Sequence, residues 1–305
     1  MDLGVAAMSV IPPGFLEGLG AAACLGSSDF VSRTNSRRIG SFAAASLALT
    51  LGTIPFLLFW PFPDLTKIDE VSLIFALVAG LLNPVALWLV FKALARGPIA
   101  VVSPIITANP ALVVLVNGFL GYSPGLLEGL ALAMIFVGVL IVSGLYRGVQ
   151  VLAAGEVAAS VVVMAVSASL LLAFRLVMIE LSVDGMGAHD AFILSRLASI
   201  VFCVGVFVVS VTQRQQLAGL GQLSWWPMLI LHATLENLGA LFLFTGSVGE
   251  GKTIMPVVFS TLTVFTLFWA VTIAKEKIAP RRWFGVAVVL TGVAFLAGLP
   301  IFVGS

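Results

Sequence analysis

Trp226-Pro-Met-Leu-Ile-Leu-His-Ala-Thr-Leu-Glu-Asn-Leu-Gly-Ala-Leu-Phe-Leu-Phe-Thr-Gly-Ser247 decides how this chain is read. It is as long as a helix that crosses a bilayer core, which takes about 20 residues. Its ends carry no charge, and its polar residues sit near the middle: His232, Thr234, Glu236 and Asn237. His232 and Glu236 are four residues apart, so a helix places them on one face within hydrogen-bonding reach. A carboxylate at mid-membrane costs a few kcal/mol even on lenient scales, so it is expected to face a cavity in the protein rather than lipid. Glu236 is therefore the leading functional candidate. The competing reading is a polar pair that bridges to a neighbouring helix.

Composition places the rest of the chain in the same setting. Of 305 residues, 60% are hydrophobic and 10% charged, where soluble domains carry about 25% charged residues. The mean hydropathy is +1.17. The expected fold is an all-α integral membrane protein. A net charge of +1 gives no case for a nucleic-acid partner. Cys24 and Cys203 both fall in apolar runs and read as buried thiols rather than a disulfide or a metal site. The first ten residues lack a basic region, carry Asp2 and run into Pro12-Pro13, unlike a cleaved signal peptide. The sequence contains no dinucleotide, P-loop, metalloprotease or serine-hydrolase motif. Neither a cofactor, a metal nor a catalytic residue is expected, and an enzyme is disfavoured because His232 and Glu236 have no evident third partner.

Ten spans are expected: 15–31, 41–60, 71–94, 99–120 and 126–146, then 157–177, 191–211, 226–245, 253–273 and 283–301. Short joints make neighbouring spans antiparallel. Five spans plus five points to duplication, with residues 1–148 and 149–305 as the halves. Gly97-Pro-Ile-Ala-Val-Val-Ser-Pro104 opens the fourth span, and Gly249-Glu-Gly-Lys-Thr-Ile-Met-Pro256 opens the ninth. An odd number of spans per half inverts one half relative to the other, an arrangement that puts a binding site near the midplane where the halves meet. In this register Glu236 falls opposite Pro84, beside Asn83, which makes the third and eighth spans polar at one depth.

Basic residues are concentrated on one side. Joints after odd-numbered spans hold Arg33, Arg37, Arg38, Lys92, Arg96, Arg147, Arg214, Lys275, Lys277, Arg281 and Arg282. The other side holds Lys67, Lys252 and Arg175, and it is rich in acids such as Asp64, Asp69, Asp184 and Glu250. The positive-inside rule then puts both termini outside the cytoplasm.

The stretch Lys92-Ala-Leu-Ala-Arg-Gly-Pro-Ile-Ala-Val-Val-Ser-Pro-Ile105 resembles the EamA-type branch of the drug/metabolite transporter superfamily. The second half repeats the signature as Glu276-Lys-Ile-Ala-Pro-Arg-Arg-Trp-Phe-Gly285, followed by Val-Ala-Val-Val-Leu-Thr-Gly-Val. The resemblance covers nearly the whole chain and implies ten helices as two inverted five-helix repeats. It also implies an alternating-access carrier whose cavity is lined by the first, third, fourth, sixth, eighth and ninth spans. One departure is the acidic residue usual after the fourth span. It is absent at Leu120-Gly-Tyr-Ser-Pro and kept in the second repeat as Glu276, read here as a helix-end residue.

The candidate substrate- or proton-binding residues are Glu236, His232, Asn237, Asn83, Trp88, Thr107, Asn109, Asp29 and Arg196. Asp29 precedes Arg33 by four residues, so a helix-end ion pair competes with a role at the cavity mouth. Arg175 is expected to snorkel to the interface, and Arg196, about two turns in, to pair with Glu180, Asp190 or a substrate anion. Trp60, Trp225, Trp226, Trp269 and Trp283 near span ends read as interfacial anchors. The expected function is proton-coupled export of a small polar or amphipathic metabolite, such as an amino acid or derivative, with protons and the lipid bilayer as partners. The expected location is a bacterial inner membrane. The alternative is an uncoupled facilitator, exchanger or lipid-handling protein of the same fold. The sequence leaves both a monomer and a homodimer open.

Overall fold

The computed structural model describes residues 13–107, 125–143, 159–217, 225–249, 251–276 and 280–298. These are helical almost throughout: α1 (Phe15–Ile39), α2 (Ser41–Phe59), α3 (Glu70–Arg96), α4 (Ile99–Ile106), α5 (Leu126–Ser143), α6 (Ala159–Val209), α7 (Val211–Gln216), α8 (Trp226–Gly246), α9 (Gly251–Phe259), α10 (Leu262–Thr272) and α11 (Pro280–Gly298). Among the described residues α2, α3, α6 and α8 are long and apolar enough to cross a membrane. Helices satisfy their own backbone groups, which is what an apolar solvent demands. The chain is a multi-pass membrane protein.

The expected spans differ from these helices where local chemistry overrides hydropathy. The first span does not stop at residue 31. No breaker intervenes before Gly40, whose φ of 84° takes the chain out of the helix while its N–H bonds Ser36 O at 3.0 Å. The sixth and seventh spans run on as α6, broken only at Gly187 with φ 82° and ψ 161°. That backbone suits glycine and little else, so residues up to Met186, which read as a joint, remain helical. The ninth span is interrupted. Pro256 removes one backbone donor, and the Thr261 hydroxyl takes the Val258 carbonyl at 2.8 Å, so α9 ends and α10 starts afresh. The fourth span is helical to Ile106. The rest of it, including Asn109, lies outside the described residues.

Small side chains let the helices come together. Ala21, Ala22, Ala43, Ala44, Ala79, Ala86 and Ala93 are wholly buried, as expected for helix interfaces in lipid. Helix α3 packs along α6, α8 along α1 and α2, and α5 along α11. Pro84 inside α3 leaves Gly80 O without its helical donor, and the Ser199 hydroxyl from α6 supplies one at 2.7 Å. The outer surface carries exposed Leu58, Leu81, Val163, Leu170, Val201 and Ile230. Two expected tryptophan anchors are packed inward instead: Trp225 is buried, and Trp269 Nε1 donates to Ser27 Oγ at 2.8 Å.

Helix α3 starts at Asp69, whose carboxylate accepts from Val71 N and Ser72 N, both at 3.0 Å. The Ser72 side chain, then its N–H, holds the Asp69 carboxyl below the usual range. A depressed acid stabilises the fold above its unfolded pKa and loses that contribution as pH falls through the folded value. Thermal melts between pH 5 and pH 2 are therefore expected to show an acid-induced loss of stability that is smaller in Asp69→Asn than in the wild type.

Candidate functional site

The side chains of α8 divide sharply between lipid and protein. Ile230, Leu231, Thr234 and Leu238 are exposed, whereas His232, Ala233, Glu236, Asn237 and Ala240 are buried. Glu236 Oε2 accepts from Ser28 Oγ of α1 at 3.0 Å, and 4% of the residue is exposed. It lines a cavity of about 40 Å³. The cavity is walled by Asp29 from α1, Asn83 from α3, Thr107 after α4, Arg175 from α6, Glu236 from α8, and Phe259 and Leu262 from the interrupted ninth span. These are the six spans the resemblance implies. That space takes a few water molecules, and the cavity is partly open rather than sealed.

Four of the nine candidate residues come together here: Glu236, Asp29, Asn83 and Thr107. The Thr107 hydroxyl bonds Ser103 O at 2.9 Å and contacts Thr263 Oγ1 of α10, tying the fourth span to the ninth. Asp29 does not form the ion pair with Arg33 that its spacing allows. Arg33 reaches across to Glu276 instead, at 2.6 Å, which leaves the Asp29 carboxyl facing the cavity.

The remaining candidates are placed differently. His232 does not hydrogen-bond Glu236. Its Nδ1 meets Asn35 Nδ2 at 3.2 Å and its ring packs on Phe91 at 5.0 Å, because the imidazole is drawn towards α1 and α3 a turn away from the cavity. Asn237 donates from Nδ2 to Ala48 O and Ala233 O, both at 2.9 Å, and accepts from Thr53 Oγ1 at 3.1 Å. It knits α8 to α2 and does not line the central cavity. Trp88 packs edge-on against Phe42, with Lys92 Nζ 4.8 Å above its ring; it too lies off the cavity. Arg196 is fully buried behind Glu236, with Nη2 3.5 Å from the Glu236 carbonyl oxygen and its guanidinium 5.3 Å from the Phe192 ring centroid. It pairs with neither Glu180 nor Asp190, the latter lying 2.6 Å from His189 Nδ1.

Sequence reasoning also misplaced Arg175. Instead of snorkelling to an interface it is 4% exposed and lines the cavity. Together Asp29, Glu236, Arg175 and Arg196 put two acids and two bases in one buried region, close enough to interact electrostatically. Such a cluster can hold a charged solute or exchange a proton, and no group of metal-ligating side chains occurs among the described residues.

Two ion pairs lie at opposite ends of the ninth span. Lys252, at its start, meets Asp184 of α6 at 3.2 Å, and Glu276, just past its end, meets Arg33 of α1. The second links the two halves of the chain. Removing it is expected to loosen that face of the bundle: in a background with Cys24 and Cys203 replaced by serine, Glu276→Gln should speed labelling of a cysteine at Ser32 by a water-soluble maleimide. Equal rates with and without the substitution would show that the pair does not close this face.

Comparison with known proteins agrees with this architecture. A solved crystal structure of a protein superposes on 90% of this chain and 97% of its own with a TM-score of 0.60, at 14% identity, a likeness of fold. No curated protein matches the chain in sequence. The model of the EamA-like transporter family matches residues 12–144, the stretch that supplies Asp29, Asn83 and Thr107 to the cavity. Over these residues the chain is similar to the EamA-like transporter family of the drug/metabolite transporter superfamily.

Proposed function

We propose that this chain is a secondary active transporter that exports a small polar or amphipathic metabolite in exchange for protons, by alternating access through the central cavity. The observation that carries this reading is Glu236: a buried carboxylate in the middle of a membrane-spanning helix, lining a cavity to which six spans contribute. A carboxylate there is costly, and such residues mark solute or proton pathways. No ATP-binding motif accompanies it, so a gradient or exchange supplies the energy. Glu236 holds a proton in one conformation and releases it when substrate occupies the cavity. His232, which bonds Asn35, is not the partner that shares this proton.

Supporting the two-repeat reading, with halves 1–148 and 149–305, the matched Gly-to-Pro segments open α4 and α9, and α9 ends at Phe259, soon after its proline. Helices broken near the midplane are where such carriers bind solutes and ions. The ion pairs at either end of the ninth span would open in turn. The charge distribution favours both termini outside the cytoplasm, in a bacterial inner membrane.

The test is a proteoliposome assay in which an internal pH dye reports proton movement while amino acids and amphipathic metabolites are added one at a time. Proton movement driven by a member of the panel is the expected result. Substrate entry with no proton movement would replace exchange with uncoupled facilitation.

A further inference from the structure

The end of α3 gathers positive charge that the fold does not neutralise. Lys92 and Arg96 lie one turn apart on one face of the helix, where like charges repel. From α1, Arg37 donates its Nε to Ala95 O at 3.0 Å, which brings a third cation to the same end. None of the three pairs with an acid among the described residues. Arg33 and Glu276 show that such pairs do form at this end of the bundle. The negative end of the α3 dipole offsets part of the repulsion, and the rest calls for an anion from outside.

Below these charges lies an apolar wall. Trp88, one turn before Lys92 on the same face, carries the Lys92 Nζ 4.8 Å above its ring. Its ring packs edge-on against Phe42 of α2 at 6.4 Å, and Phe42 meets Phe207 of α6 at 5.4 Å. Trp88 and Phe207 are half-buried, and Val204 and Val208 beside Phe207 are exposed. Eight residues of helix put Trp88 about 12 Å from Arg96 along the axis. With Arg96 at the membrane surface, Trp88 is therefore below a headgroup layer of about 5–8 Å, at the depth of acyl chains.

We propose that this face holds an anionic phospholipid, its phosphate on Lys92 and Arg96 with Arg37 beside them, and one acyl chain along Trp88 and Phe207. Charge complementarity commits the site to that occupant. The phosphodiester supplies the negative charge that no acid supplies here, and a guanidinium fork matches its oxygens. Basic groups between helices at a membrane surface suit such headgroups. A zwitterionic headgroup brings its own cation, which the three basic side chains repel. A free phosphate would leave the Trp88 wall uncovered. The site gives Trp88 and Lys92 a role apart from the central cavity and holds whatever that cavity carries.

Fluorescence quenching tests it on the purified full-length protein in bilayers, with brominated phosphatidylglycerol and brominated phosphatidylcholine as the probes. Bromine on an acyl chain quenches the tryptophans that the chain touches. The protein has six tryptophans, so the share of Trp88 is read as the quenching lost in Trp88→Phe, which keeps a ring against Phe42. In the wild type the anionic lipid is expected to occupy the Trp88 face at least about tenfold more strongly than the zwitterionic one, each basic side chain favouring an anionic headgroup by roughly fivefold. Lys92→Gln and Arg96→Gln should each cut this preference by about that factor. Lys275→Gln, which removes an exposed charge from the same end of the bundle, should leave it intact. Equal quenching by the two lipids overturns the proposal. An equal loss of preference in Lys275→Gln also overturns it, because the attraction would then belong to the charged end as a whole. So does a Trp88 that neither lipid quenches, because protein would then cover this face. Should Trp88→Phe fail to fold, total emission decides the same point: a site at α3 requires a preference that Arg96→Gln weakens and Lys275→Gln does not.

Discussion

Replacing Glu236 by glutamine is expected to drop substrate-driven proton movement in proteoliposomes to the level of protein-free vesicles while the protein still folds. Glutamine keeps the shape of the side chain, and its carbonyl oxygen still accepts from Ser28 Oγ, 3.0 Å away in the wild type. Arg196 reaches the backbone oxygen of residue 236 rather than the carboxylate, so that contact survives as well. What disappears is a group that gains and loses a proton, together with the negative charge it sets beside Arg175 and Arg196. A variant that folds, binds substrate and moves protons at the wild-type rate would make Glu236 a structural residue.

The largest effect on stability is expected at Gly52. Here α2 and α8 approach so closely that a Cβ on residue 52 would run into Asn237 Nδ2 and the Ala233 carbonyl. A side chain must therefore push the helices apart or expel the Asn237 amide from its bonds to Ala48 O and Ala233 O. Overpacking costs about 1–3 kcal/mol, and each buried bond broken adds roughly 1 kcal/mol. Gly52→Val is thus expected to lower the melting temperature by on the order of 10 °C, or to prevent recovery of folded protein. Gly205 is the control: nothing lies within 4 Å of its added Cβ, so Gly205→Val should melt close to the wild type. Matching melts for the two variants would mean that the α2–α8 contact is looser than described here.

Sequence reading succeeded where lipid imposes a simple rule and failed where two polar groups compete for a partner. The bounds of the eighth span and the direction of Glu236 follow from hydropathy and from the cost of a carboxylate in lipid. The partner of Asp29 does not. Spacing along one helix offers Arg33, but Glu276 comes from a joint 243 residues away and wins. His232 likewise has a neighbour one turn along its own helix, yet bonds α1, because which face of a helix meets which neighbour is a tertiary fact. Arg175 was nonetheless legible in principle. Val163, Val166, Leu170 and Phe174 form a continuous apolar stripe and are all exposed. Arg175 is off that stripe, which favours an inward direction over a route to the interface. The joint expected between the sixth and seventh spans was inferred from acidic residues. Glu180 and Asp184 stay helical because a helix end pairs such groups as well as a loop does, Asp184 with Lys252.

The central claim is that a proton and the substrate exclude each other at Glu236, and proton release on binding tests it most directly. Purified protein in weakly buffered detergent solution would be mixed with saturating substrate and the pH followed with an indicator dye. The account predicts a release of protons in proportion to bound substrate in the wild type, and none in Glu236→Gln. Substrate binding without proton release in the wild type, or equal release in the variant, would contradict it.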